Sequence, residues 1–253
     1  MRKTAWIVAG IGGLGLLFAT GPEPALACSE EGALRRTVTI ENHDTSGFIT
    51  LAGGDKVALA SIDRESQRLP RLKDQSAILI VFGIDRHKSV LGDLVVDGTS
   101  LRRSLLTDGL ARLRPGRAPD PCLTDLRALE REARRAGLGL WGQTQYGIIN
   151  AADADQVRRS AGRFVVATGV VVHVGVRNKR VYLDFGREMR RSATAIVDRR
   201  QIEIQTGGPA SALTGRVVEV RGVVEIGEPP RIEVESTGSL VIVSELENVR
   251  RTP

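Results

Sequence analysis

Apolar positions along the chain fall into two β-rich blocks with helical stretches between them. In the first block, Ile49-Thr50-Leu51 and Val57-Ala58-Leu59 flank Ala52-Gly53-Gly54-Asp55-Lys56, the pattern of a hairpin. Residues 77–82 form an unbroken apolar run and residues 91–96 follow with an apolar core of their own, so both predict buried strands. The polar segment 83–88 between them reads as a turn, and Asp97-Gly98 as another. Thr99 or Ser100 caps a helix that ends at Gly109, with Leu101, Leu105 and Leu106 on one face. A short strand over 110–113 and a Pro-rich loop over 115–121 follow. The next helix has Pro121 before it, Thr124 or Asp125 as cap and Gly137 as stop. Leu126, Leu129, Ala133 and Ala136 line one side, and Glu130, Arg131, Arg134 and Arg135 the other, which predicts a solvated charged face.

Residues 143–162 are polar and mixed, the pattern of a linker with a weak helix. The second block starts at Arg163. It holds β-rich segments at 165–176, 181–185, 193–197, 216–226, 232–235 and 240–243, with glycines at 169, 175 and 222 inside them. Short strands with internal glycines predict a small barrel, because glycine lets a strand bend sharply. The expected class is mainly β with helices (α+β), two barrels in series, at 37–142 and 163–245; an open sandwich is the alternative for the second.

The N-terminus changes the setting. Arg2 and Lys3 precede an apolar run over 5–19, Pro22 and Pro24 break it, and Ala25-Leu26-Ala27 follows. That order is a secretory signal peptide over 1–27. The run is short of the roughly 20 apolar residues a membrane span needs, and no later segment is long and apolar enough, so the expectation is an exported, periplasmic or secreted protein with no stable span after cleavage. A lipid anchor on Cys28 is disfavoured by Ala25, where such signals prefer leucine. The two cysteines, Cys28 and Cys122, suggest a bridge in an oxidising compartment, against the alternative of two unrelated thiols. The three histidines have no ligand spacing. A net charge of +6 permits a polyanionic partner, but acidic residues are interspersed throughout.

Three segments carry a resemblance. The hairpin 49–63 resembles the first hairpin of the staphylococcal nuclease (thermonuclease) family. Gly109-Leu110-Ala111-Arg112-Leu113 is similar to its "GLA" strand, and 129–141 to its closing helix with the "GLW" ending at Gly139-Leu140-Trp141. The resemblance implies an OB-fold nuclease-like barrel over 37–142. It also implies calcium-dependent phosphodiester cleavage by two arginines, a glutamate and metal-holding aspartates, with fixed cations stabilising the charge that develops on phosphorus oxygens. A weaker resemblance, over 180–186 and 215–222, is to a barrel appended to some bacterial thermonuclease-like proteins.

Most of the catalytic set is unmatched. The arginine positions fall on Ala58 and Ser89 and the glutamate position on Ser66. Asp63 aligns as a metal ligand, and Asp44 as a more displaced one. Only 22 positions separate Asp63 from Asp85, which implies that the family's first helix is lost. Glu65, Arg64 and Arg86 are the candidates for compensating catalysis. For nucleic-acid contact the candidates are Arg86, Lys88, Arg180, Tyr182, Arg187 and Arg190, with Tyr182 and Phe185 also readable as core. The function expected is nucleic-acid or polyanion binding with phosphodiesterase activity largely lost. The rivals are a calcium-dependent nuclease with relocated residues and an envelope protein-interaction scaffold.

Overall fold

The computed structural model describes residues 33–85, 87–117, 120–188 and 192–243. The proposed signal peptide, Cys28, Arg86 and Arg190 lie outside the described residues.

The first unit is built on β1 (Leu34–His43), β2 (Ile49–Leu51), β3 (Lys56–Leu59), β4 (Ser76–Ile84) and β5 (Val90–Val96). β1 is long enough to pair antiparallel with both β2 and β4; β2 pairs β3 and β4 pairs β5. The parallel pairing of β3 with β5, Ala58 opposite Leu91, closes five strands into a barrel. Gly92 is required there: a Cβ at that position would lie 2.3 Å from the Ile80 carbonyl oxygen. Ile40, Ile49, Leu51, Val57, Leu59, Leu79 and Leu94 fill the interior. β6 (Thr99–Ser100) leads into α1 (Leu101–Thr107), and Ser100 accepts the Arg103 N–H as its cap. α2 (Leu123–Arg135) starts earlier than the caps expected at Thr124 or Asp125, because the Cys122 N–H donates to Asp120 and begins the turn there.

Two local expectations change. Residues 110–113 form no strand ladder, only the bridge Ile62–Leu113. Their backbone groups instead bond the loop after β3, with Asp63 N–H donating to Arg112 and Arg68 N–H to Leu110. That loop carries no helix between β3 and β4, as the short spacing implied.

The second unit holds β7 (Ile149–Asn150), α3 (Ala154–Arg158), β8 (Phe164–Val170), β9 (His173–Arg177), β10 (Arg180–Asp184), β11 (Thr194–Asp198), α4 (Arg199–Thr206), β12 (Val217–Glu225), β13 (Arg231–Glu233) and β14 (Leu240–Ile242). Its sheet runs β7-β8-β12-β13-β11-β10-β9, with β14 on β12. The pairings repeat those of the first unit: β11 meets β13 in parallel as β3 meets β5, and β12 pairs β8 as β4 pairs β1. Gly222 permits the close β12–β13 approach, since a Cβ would meet the Glu233 carbonyl oxygen at 2.1 Å. The segment expected as a linker is partly structural: β7 pairs β8 in parallel, and Ala151 and Val157 enter the second core. α4 was not expected. Asp198 caps it and Gly207 ends it with φ +63, but Ile202 is its one buried residue, so its apolar stripe is too thin to read.

The seam between the units overturns the expected solvated face of α2 at Glu130 and Arg134, while Arg135 stays exposed. Glu130 is 1 % exposed and accepts from Arg221 of β12 at 2.6 and 3.0 Å. Arg221 also donates to Glu219 and to the Leu113 carbonyl, while Arg134 donates to Glu219 at 2.8 Å. Around this centre Arg112 donates to the Phe164 carbonyl, Arg127 to that of Gly238, and Ser236 to that of Pro115. Burial would raise the Glu219 pKa, but Arg221 and Arg134 outweigh it and hold the carboxyl at about 2. Burial, reinforced by neighbouring Arg221, lowers Arg127 to about 10. Among the described residues no helix is long and apolar enough to cross a membrane.

Replacing Arg221 with Met strands two buried carboxylates and is expected to cost about 3–5 kcal/mol, seen as a lower denaturant midpoint. An unchanged midpoint would show that the seam contributes nothing. The Glu219 contribution has a definite sign: its folded pKa is depressed, so it is present above the ordinary value of 4.5 and is lost as pH falls toward about 2. Denaturant midpoints across that window should fall less in a Glu219→Gln chain than in the parent.

Candidate functional site

The loop after β3 and the turn after β1 form a cleft of about 430 Å3, lined by His43, Asp44, Thr45, Gly47, Arg64, Glu65, Gln67, Arg68 and Leu69. β1 and β2 position Asp44, whose carboxylate accepts from Ser46 Oγ at 2.6 Å and from the Phe48 N–H at 3.0 Å. Those bonds, Ser46 first, hold its pKa below the usual carboxylate range. Arg64 lies over the Phe48 ring at 4.2 Å, a cation–π contact that fixes its guanidinium at the cleft wall. Glu65 is exposed beside it.

Asp63 points elsewhere. Its side chain is 0 % exposed; one oxygen accepts from Arg112 Nη2 at 2.9 Å and the other faces Arg114 Nη1 at 3.7 Å. Arg112 also donates to Ser66 Oγ at 3.3 Å and to the Phe164 carbonyl. Asp44 and Asp63, expected as a metal pair, are therefore not brought together: Asp44 lines the cleft and is committed to its own turn, and Asp63 is neutralised from within. A calcium ion needs several unclaimed oxygens. This donor set does not fit one, because two guanidiniums already face the buried carboxylate. Among the described residues no group of three or more His, Cys, Asp or Glu side chains is placed to hold a metal ion.

The three positions where the resemblance places catalysts are all buried: Ala58 on β3, Ser66 after it and Ser89 just before β5. Lys88 is exposed in the β4–β5 turn, where Asp85 accepts the His87 and Ser89 N–H groups. Burial would raise the Asp85 pKa, and those two donors lower it below the usual range. The second-unit candidates sit apart from this turn. Arg180 pairs with Glu233 at 3.3 Å in a cleft that also holds Arg117 and Lys179. Tyr182 is half-buried on the outer side of β10 and Arg187 is exposed, while Phe185 is core.

A second cleft, of about 160 Å3, opens at the seam. Sequence reasoning missed it. Glu65, Ser66 and Arg112 line it from the first unit, and Ser160, Arg163 and Phe164 from the second, with Tyr146 between. Tyr146 Oη accepts from Arg68 at 2.8 Å, and the Arg112 guanidinium lies 5.3 Å from the ring centre. The available signal was Arg112 itself, an arginine inside the apolar motif Leu110-Ala111-Arg112-Leu113.

Residues 63–143 match the family model of staphylococcal nuclease homologues. This stretch is a staphylococcal-nuclease-like domain. The match begins at Asp63, yet the closed barrel reaches back to Leu34, so the nuclease-like fold extends upstream of the matched residues. Comparison with curated proteins gives no match.

An Asp63→Asn chain should lose about 3 kcal/mol of stability, because Arg112 and Arg114 would face an uncharged amide. Thermal melts should show the same loss with calcium and with chelator. A loss that appears only with calcium would identify Asp63 as a metal ligand.

Proposed function

We propose that the chain is an exported nucleic-acid-binding protein that uses a staphylococcal-nuclease-like domain without cleaving phosphodiesters. The observation that carries this is the state of the catalytic positions. Ala58 and Ser89 offer no cation, Ser66 offers no carboxylate, and Asp63 is tied to Arg112. Loss of one preorganised electrostatic contact costs roughly 10²–10³-fold in rate, so the joint loss removes most of the acceleration. Arg64 and Arg68 keep the cleft cationic; among the described residues neither has a carboxylate within ion-pair distance. Export rests on the signal-peptide pattern of residues 1–27. The second sheet is read as an appended OB-type barrel, its β8 and β9 being two halves of one strand bent at Val171-Val172.

A second reading has one observation in its favour: Arg64, Glu65 and Asp44 share a cleft. It assigns a relocated nuclease in which Glu65 activates water and Arg64 stabilises the phosphorane-like charge.

Two assays separate the readings. With single-stranded DNA and added calcium, no cleavage is expected; cleavage abolished by Glu65→Gln would establish the relocated nuclease. Binding to the same DNA should weaken steeply between about 50 and 200 mM salt as counterions are released. No measurable binding at the low end would sink the proposal.

A further inference from the structure

We infer that single-stranded nucleic acid binds along one groove that crosses from the nuclease-like domain onto the second unit, with Arg64 and Arg68 at one end, Tyr146 in the middle and Arg163 at the other. The inference rests on the nucleic-acid-binding reading above and goes beyond it by naming a site on both units.

The two clefts adjoin: Glu65 lines both, and Arg68 of the first donates to Tyr146 of the second. Their walls come from different parts of the chain. Arg64 and Arg68 stand on the loop after β3, Tyr146 on the connection after α2, and Arg163 on the entry to β8. The seam described above fixes these parts relative to one another, with Arg112 reaching from Asp63 to the Phe164 carbonyl next to Arg163.

The chemistry along the groove suits a strand with a charged backbone and stacking bases. Arg163 is exposed; its Nη2 donates to the Arg159 carbonyl at 3.2 Å and to Ser160 Oγ at 3.4 Å, which anchors the guanidinium at the rim. Among the described residues no carboxylate lies within ion-pair distance of Arg163, Arg64 or Arg68, whereas Arg36, Arg158 and Arg199 elsewhere on the surface each have one. Tyr146 is half-buried, and Arg68 and Arg112 lie 5.8 and 5.3 Å from its ring centre. An aromatic ring held this way offers a platform for any base, and flanking guanidiniums supply phosphate contacts, the combination that binds single strands without sequence preference. Two charges oppose the strand: Glu65, exposed between the two clefts, and Asp44, whose carboxylate is held in its own turn by Ser46 and the Phe48 N–H. The groove therefore carries three arginines without an ion-pair partner, Arg64, Arg68 and Arg163, against two carboxylates, Glu65 and Asp44.

The test is fluorescence anisotropy of the full chain with a labelled oligothymidine at several salt concentrations. Arg163→Ala is expected to weaken binding by about fivefold at low salt and to reduce the slope of log affinity against log salt by about 0.7, the change for one lost phosphate contact on a single strand. Glu65→Gln is expected to tighten binding. Arg200→Ala, an exposed arginine on α4, is expected to leave affinity and slope unchanged. Circular dichroism melts of each variant confirm that the fold is retained. If Arg163→Ala binds like the parent while Arg64→Ala binds more weakly, the strand stays on the first unit and the crossing groove is overturned, with nucleic-acid binding intact. If the parent itself does not bind at low salt, the nucleic-acid reading fails together with this inference.

Discussion

Arg221 decides how the two units meet. Its side chain is 1 % exposed and is enclosed by two carboxylates, Glu130 from α2 of one unit and Glu219 from its own strand. Removing three ions from water is expensive, and the cost is offset only when geometry and further hydrogen bonds satisfy each of them. The Leu113 carbonyl and Arg134 complete that satisfaction. Such a cluster tolerates one arrangement of its parts, so α2 cannot slide on β12 without exposing a bare charge. The seam thereby sets the position of Arg112 against Phe164 and, with it, the cleft between the units.

The same principle accounts for the surroundings of Asp63. In the resemblance, Asp63 belongs to a metal-holding set, which requires carboxylate oxygens open to an ion. Here the carboxylate is enclosed and neutralised by Arg112, and Ser66 fills the neighbouring position with a hydroxyl that accepts from the same guanidinium. A carboxylate that the resemblance assigns to a metal is here one half of an internal ion pair. That pair gives Asp63 a structural role of its own: without it the buried Arg112 would keep Ser66 Oγ and the Phe164 carbonyl but lose its anionic partner.

The barrel strands were legible because their apolar runs are local and bounded by Gly-rich turns, as at 49–59 and 77–96. The long pairing strand β1 was not, since Leu34, Arg35, Arg36 and Thr37 are exposed and show no alternation to read. The three positions to which the resemblance assigns catalysts, Ala58, Ser66 and Ser89, lie inside the protein. What the sequence hid is the charged face of α2. Glu130 and Arg134 look like ordinary solvated helix residues until β12 arrives some 90 positions later in the chain with Glu219 and Arg221. Helical periodicity reports which residues share a face; it cannot report which partner covers that face. For the same reason Tyr146 and Arg163, 17 positions apart in a polar stretch, gave no sign of sharing a cleft.

Charge accounting links interior and surface. Among the described residues the fully enclosed arginines are matched: Arg102 by Asp93 and Asp120, Arg112 by Asp63, and Arg221 by Glu130 and Glu219. An unmatched ion in those places would be prohibitive, so interior pairing absorbs carboxylates at least as fast as it absorbs guanidiniums. The enclosed clusters therefore contribute none of the chain's net charge of +6. Surface pairs such as Arg36–Asp55 and Arg199–Glu203 cancel part of it, while the groove arginines stay outside that pairing. A fold that buries its acidic residues against arginines thus exposes a cationic remainder by necessity. Its placement beside Tyr146, rather than its size, is what makes that remainder suitable for a nucleic-acid strand.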